Sequence, residues 1–574
     1  MRAPFVGLVA LILGACSTPL PDPVPAAHPD DPTPRRGGTL RRASFADIRT
    51  LDPAVNADAL AEEPIVAMFS GLVTFDPEGH VVPDLARRFE AVDGGRVYRF
   101  FLREGVRFHD GEELTADDVR RSIERALHPT TPDPFASLFD TIEGFADFTD
   151  KKTEHLQGVV VEGKYVISIH LREADARFLA MFARDTLRPV CRSAGERYSD
   201  GWEPCGAGPY KLARGGWDRG RTLTLVRHEG YFRPELPYID SLVLSFGMNR
   251  TTEVYKFEDG DLDTTHDLNE ADIQRFRHDP RWSAFIRPQP DRTLEGEVLN
   301  TEMPPFDNVE VRRAVASAIN RDELRLYKPA SFAVGSQVLP PAVPGYDPRF
   351  EGQRYDYDAA LAHMAKAGFP YDPRTHEGGY PGVIPYYATR EGSTEYTFQI
   401  LQQQLARIGL RLEGHVVNWA TFLSLAGRRK TVAMSSPGWS MDYPDPADFF
   451  ELFSSDAIND EQSSNYAFYS NKELDALLVS ARHEQDPAAR QALYARANRI
   501  VCDDAPWAFT VTLRFFDAWQ PYVRGFAPHA VWTFDTSGTW VDRRQPARAD
   551  ALGALWRASG KSLLARVRRG RGRP

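Results

Sequence analysis

Residues 299–324 read LNTEMPPFDNVEVRRAVASAINRDEL. The second half spells out a helix. Asp307 and Glu310 stand at capping-box spacing, and Val311, Ala314, Val315, Ala318 and Ile319 recur at i, i+3, i+4, i+7 and i+8, one face of a 3.6-residue period. Small residues on that face imply close packing against a neighbour, so this is a core element and not a site.

Outward from it, helices and strands alternate. Toward the N-terminus, residues 94–103 alternate as a strand, and Glu104-Gly105 turns them into 106–111, a hairpin candidate. Thr115 followed by Asp118 makes a capping box before Val119, Ile123, Ala126 and Leu127, which share a helical face. Toward the C-terminus, YTFQILQQQLARIGLRLEG (396–414) reads as a helix stopped near Gly409 and followed by a strand; residues 471–483 and 486–502 read as two more helices, the second entered at Pro487. No short repeat of the solenoid kind is present. The class expected is α/β or mixed α+β, and 574 residues are enough for two or three lobes with separate cores.

The two ends differ from the body. Arg2, an apolar run from Phe5 to Leu13 and the box Leu13-Gly14-Ala15-Cys16 resemble a bacterial lipoprotein signal (1–16), which implies cleavage before Cys16 and acylation of that residue; a plain secretory signal is the alternative. The apolar run is too short to span a bilayer. Residues 17–37 follow as a Pro-rich, aromatic-free tether, and 546–574 close the chain as a basic tail expected to be solvated. The formal net charge is −11 although residues 557–574 hold seven Lys/Arg and no acid, so the body is more acidic than the whole. It offers no basic face for a nucleic-acid backbone. Export permits a Cys191–Cys205 bridge, and Cys502 reads as a lone buried thiol; no zinc spacing links them.

Marks of common enzymes are missing: no G-x-S-x-G elbow, no phosphate-cradling G-x-x-x-x-G-K-[ST], no H-E-x-x-H and no EF-hand loop. We therefore expect no catalytic activity, no cofactor and no metal. What stands out is GWSMDYPDP, residues 438–446, where carboxylates sit in a corner stiffened by Pro444 and Pro446 and flanked by an indole and a phenol. Asp442, Asp445 and Asp448 fall every third residue, but the prolines fix φ and oppose a backbone wrap around an ion.

Five blocks in order resemble one family: residues 37–90, 98–127 (YRFFLREGVRFHDGEELTADDVRRSIERAL), 205–212 (CGAGPYKL), 299–324, and GWSMDYPDPADFF (438–450) with NKELDALL (471–478). They are similar to the extracellular solute-binding proteins of peptide-type ABC importers, the oligopeptide, dipeptide and nickel-binding group called family 5, from about Gly37 to about Trp540. The resemblance implies a three-lobed Venus-flytrap fold: two α/β lobes around a cleft plus an extra lobe. Lobe I would comprise 38–75, 206–297 and 516–545, extra lobe II 76–205 and lobe III 298–515, with crossings near 206–209 and 299–301. It implies capture of short peptides for an ABC permease by a monomer held at the membrane through lipid.

In peptide-binding members the acid of the matching block pairs with the ligand's α-ammonium, which carries that role to Asp442, with Gly438, Trp439 and Tyr443 around the guest. Physically, a carboxylate in a water-poor cleft is favourable only once a cation arrives. The same residues also fit an Asp that caps a helix opening near Pro446 and an indole in the core. Arg390, in VIPYYATREGSTEY (383–396), matches the arginine that takes a dipeptide's carboxylate, although Glu391 and Glu395 could neutralise it; Asn300 is a candidate for polar contact with ligand backbone. Ala207 stands where the family's G-T-G-P block has threonine. A nickel chelate, haem or oligosaccharide on the same scaffold, or a lipoprotein sensor or chaperone, are the alternatives.

Overall fold

The computed structural model describes residues 33–56, 58–199, 201–389, 394–532 and 536–542. Cys16, Arg390 and the basic tail lie outside them. No helix of the described residues is long and apolar enough to cross a membrane.

Four sheets of three or more strands organise the described residues. The first pairs Thr39–Ala43 parallel to Ser241–Ser245, which continues antiparallel to Thr222–Arg227 and then Tyr210–Asp218. The second holds Phe516–Trp519 antiparallel between Thr264–Thr265 and Ile286–Pro288. The third is a fully antiparallel run of Ala86–Val92, Val97–Leu102, Val166–His170 and Val159–Gly163. The fourth has the order Arg411–Val417, Val383–Thr389, Met434–Ser435, Gly296–Leu299, Trp507–Phe509, with parallel pairs on one side and antiparallel pairs on the other. The chain passes between the second and fourth sheets twice, through residues 289–295 and 510–515.

Alternation explains the third sheet. Along Val97–Leu102 every second residue, Tyr98, Phe100 and Leu102, is buried. Tyr98 stacks on Phe178 at 4.9 Å between centroids and Phe100 on Phe182 at 5.4 Å, so this face carries a ladder of rings. The same apolar mass runs on to Phe450, Phe453 and Trp507 beside the helices Lys472–His483 and Pro487–Asp504. Polar ties reinforce the junction: Ala176 N donates to Arg482 O at 2.8 Å, and Arg177 holds both Asp175 and Glu451.

The hairpin expected over 94–111 does not form. Both edges of Val97–Leu102 are filled, by Ala86–Val92 and by the distant Val166–His170, leaving 106–111 as loop with a single bridge from Arg107 to Glu113. Val106 and Phe108 are instead drawn individually into the core. The helix expected after Asp307 spans Val309–Ala318, and its cap is Asn308, whose side chain accepts from Glu310 N at 2.9 Å. Cys191 and Cys205 form the disulfide, with Cα atoms 5.4 Å apart, and Cys502 is a buried free thiol.

Candidate functional site

A cleft of about 370 Å³ opens where the two passages between sheets meet the loop around Gly438. Thr293–Leu294 pairs antiparallel with Trp439–Ser440, so the first passage and the loop form one ribbon. Glu295 follows directly; its N donates to Val511 O at 3.2 Å and its carbonyl accepts from Thr510 N at 3.0 Å, which ties it to the second passage. Trp419, at the start of the helix Trp419–Ala426, with Trp439, Tyr466 and Phe515 supplies apolar walls.

Within the loop, three aspartates take different partners. Asp445 is buried, grips Arg490 through two bonds of 2.6 and 2.8 Å, and caps Ala447 N at 2.9 Å. It is therefore Asp445, and not Asp442, that opens the helix Ala447–Phe450. Asp448 is buried too and accepts from Asp442 N at 2.9 Å and Trp439 Nε1 at 3.4 Å, clamping both ends of the corner; burial, then repulsion from Asp442, pushes its carboxyl far up. Asp442 is left to the cleft, with 39% of its side chain exposed.

Around Asp442 the chain gathers more charge. Arg184 Nη1 forms a long ion pair of 3.7 Å with Asp442 Oδ2, and the guanidinium is only 5% exposed, 3.8 Å over the ring of Phe135. Its Nε and Nη1 are buried without a hydrogen-bond partner. Asp185 accepts from Asn56 Nδ2 at 2.7 Å. Glu62, in the first turn of the helix Ala59–Met68, is pushed up to about 8 by burial and then by Asp185, against the pull of Arg292 and Arg184. Burial raises the Asp442 carboxyl, Arg184 opposes that shift, and Asp185 adds to it. Three acids thus share two arginines, and the group settles the mismatch by keeping a proton on Glu62.

Of the residues singled out in the sequence, Gly438, Trp439 and Asp442 line the cleft together. Gly438 sits at φ +64°, where glycine is favoured, and a Cβ there would come within 2.7 Å of Glu295 Oε2, which places the Glu295 carboxyl directly against this glycine. Tyr443 is not a wall of the cleft. It is 1% exposed in the core, because alternation past Asp442 turns it inward beside Phe449 and Phe450. Asn300 is not free to meet a ligand either: 1% exposed, it donates from Nδ2 to Val432 O at 2.9 Å and accepts from Glu302 N at 3.1 Å, closing a turn of its own chain. Arg390 lies outside the described residues. The sequence reading missed Glu295, Glu62 and Arg184. For Glu295 a signal exists: two acids at i and i+2 in TLEGEVLN, a segment otherwise apolar enough for an inner strand.

Comparisons with known proteins bear on this geometry. The family described as Bacterial extracellular solute-binding proteins, family 5 Middle, matches residues 80–461. Heme-binding protein A of Haemophilus influenzae is 29% identical over 462 residues, covering 78% of this chain and 81% of its own. The dipeptide-binding protein of Escherichia coli K12 is 27% identical over 485 residues, 80% of this chain and 86% of its own. Among solved structures, clavulanic acid biosynthesis oligopeptide binding protein 2 superimposes with a TM-score of 0.78 at 26% identity, covering 88% of this chain and 96% of that one.

Proposed function

Because the chain belongs to the bacterial extracellular solute-binding proteins, family 5, we propose that it captures short peptides by their free amino end and delivers them to the permease of an ABC importer. The fold is the family's, two lobes around a cleft with an extra lobe. On this reading lobe I is 38–75, 206–297 and 516–545, lobe II 76–205 and lobe III 298–515, and the jaw closes as a hinge over the guest. Lipid on Cys16 and the tether 17–37 hold a monomer at the outer side of the membrane.

The observation that carries the reading is Asp442: a carboxylate fixed by Asp448 and two prolines and exposed to an apolar cleft, with one long ion pair of 3.7 Å to Arg184 on its inner side. Fixing it beforehand reduces what must be ordered when ligand binds. The α-ammonium of a peptide supplies the missing charge-assisted hydrogen bonds. Relatives named for a dipeptide and an oligopeptide support a peptide, while one named for haem keeps a second solute in play. The carboxylate of Asp442 at the cleft speaks against an anionic guest beside it.

The test is mass spectrometry of what co-purifies with the protein expressed in its own host. Peptides with free amino termini are expected. A haem, metal chelate or sugar oligomer in their place overturns the proposal.

A further inference from the structure

We propose that the cleft contains a second cation anchor, with Glu295 taking the charged end of a lysine- or arginine-type side chain of the bound peptide while its methylene stem lies against Trp419, Trp439 and Phe515. This deepens the reading above and rests on it.

The geometry is specific to Glu295. Its backbone is held on both sides by Val511 and Thr510, so the carboxyl has one place to go, into the cleft beside Gly438. There, among the described residues, it has no hydrogen bond and no ion pair. Neither Arg184, which acts on Glu62 and Asp442, nor Arg292, which acts on Glu62, pulls on it; burial alone pushes Glu295 up to about 8. A half-buried carboxyl with no internal cation is costly unless a guest completes it.

A second, independent observation lies one step deeper. Glu297 is next on the same face of the strand Gly296–Leu299 and is 3% exposed; Tyr386 hydrogen-bonds its side chain, yet Oε2 has no partner. Two carboxyls in line, one at the cleft and one behind it with a free oxygen, hold their protons on their own, and no arginine or lysine of the described residues pairs with either, so a guest's cation is what would let the outer one ionise. The walls suit the rest of such a side chain: aromatic faces attract a cation, and the stem of Lys or Arg buries well against them. At 45% exposure Trp419 is a ring left open at the mouth. Asp442 and Glu295 divide the labour, one for the main-chain ammonium and one for the side chain.

Calorimetric titration tests this with four tripeptides sharing a free amino terminus and differing at one position: lysine, arginine, Nε-acetyl-lysine and norleucine. The wild type should bind the lysine and arginine peptides about tenfold or more tightly than the other two, the order expected for a desolvated charge pair. Glu295→Gln should erase that preference while leaving the norleucine affinity within about twofold. The peptide series on wild-type protein stands even if the variant folds poorly. Equal affinity for all four overturns the second anchor and leaves peptide capture intact. Binding of none overturns both.

Discussion

At the scale of single residues, neighbours decide what a carboxylate does. Asp442, Asp445 and Asp448 repeat every third position, yet Asp445 meets Arg490 and a helix start, Asp448 meets two N–H donors, and Asp442 meets the cleft. The sequence placed rigid acid beside an indole correctly, because proline and aspartate chemistry is local. It misplaced Tyr443, which the chain turns inward into a core that its spacing from Asp442 does not reveal, and Asn300, whose amide is spent on a carbonyl 132 residues away. Glu295 makes a prediction that belongs here. Its folded-state value of about 8 lies above its ordinary 4.5, so the folded protein holds a proton the unfolded chain has lost, and stability fully present below about 4.5 is lost as pH rises toward 8. Glu297, behind it on the strand and also raised to about 8, reinforces the effect. In urea titrations Glu295→Gln should therefore be more stable than wild type by an amount that grows between pH 5 and pH 8, about 1 kcal/mol or more at the upper end once partial exposure to the cleft is allowed for. A gap that is flat with pH, or of opposite sign, refutes the burial assigned to this carboxyl.

At the scale of elements, period and capping were legible and partners were not. The helices Ala116–Leu127, Lys472–His483 and Pro487–Asp504 lie close to where their spacing and caps put them, since both signals are read within a turn or two. The hairpin over 94–111 failed because a strand's edge is claimed by whichever strand packs best, and Val166–His170, far along the chain, brings a second buried face. Asp118 accepts from Thr115 N at 3.0 Å and from its hydroxyl at 2.8 Å, so the capping box read from sequence is physically made. Thr115→Ala should lower unfolding free energy by about 1 kcal/mol, measured from the urea midpoint, without altering ligand affinity. No change in stability would mean that Asp118, already paired with Arg192, caps the helix unaided.

At the scale of the whole molecule, the cleft exists because the chain crosses between sheets twice and returns in the loop at Gly438, bringing Glu295, Asp442 and Phe515 together from positions far apart. Close approach is built in at Gly208 as well, where a crossing is expected from the sequence: its N donates to Met68 O at 2.9 Å, and a Cβ there would lie 2.4 Å from the Met68 carbonyl carbon. Such convergence cannot be read from periodicity; it reached the sequence reading only through resemblance, which is why Arg184, between the matched blocks, and Glu62, inside the first block but given no role by the resemblance, went unnoticed. The central claim is that a fixed carboxylate waits in the cleft for the ammonium of a peptide. The most direct measurement titrates a tripeptide with a free amino terminus, and its α-N-acetylated form, into wild-type protein and Asp442→Asn. The free-amine peptide should bind the wild type and lose about 2 kcal/mol or more in the variant, and the acetylated form should bind both equally weakly. Acetylated peptide binding the wild type as tightly as the free amine would contradict the account.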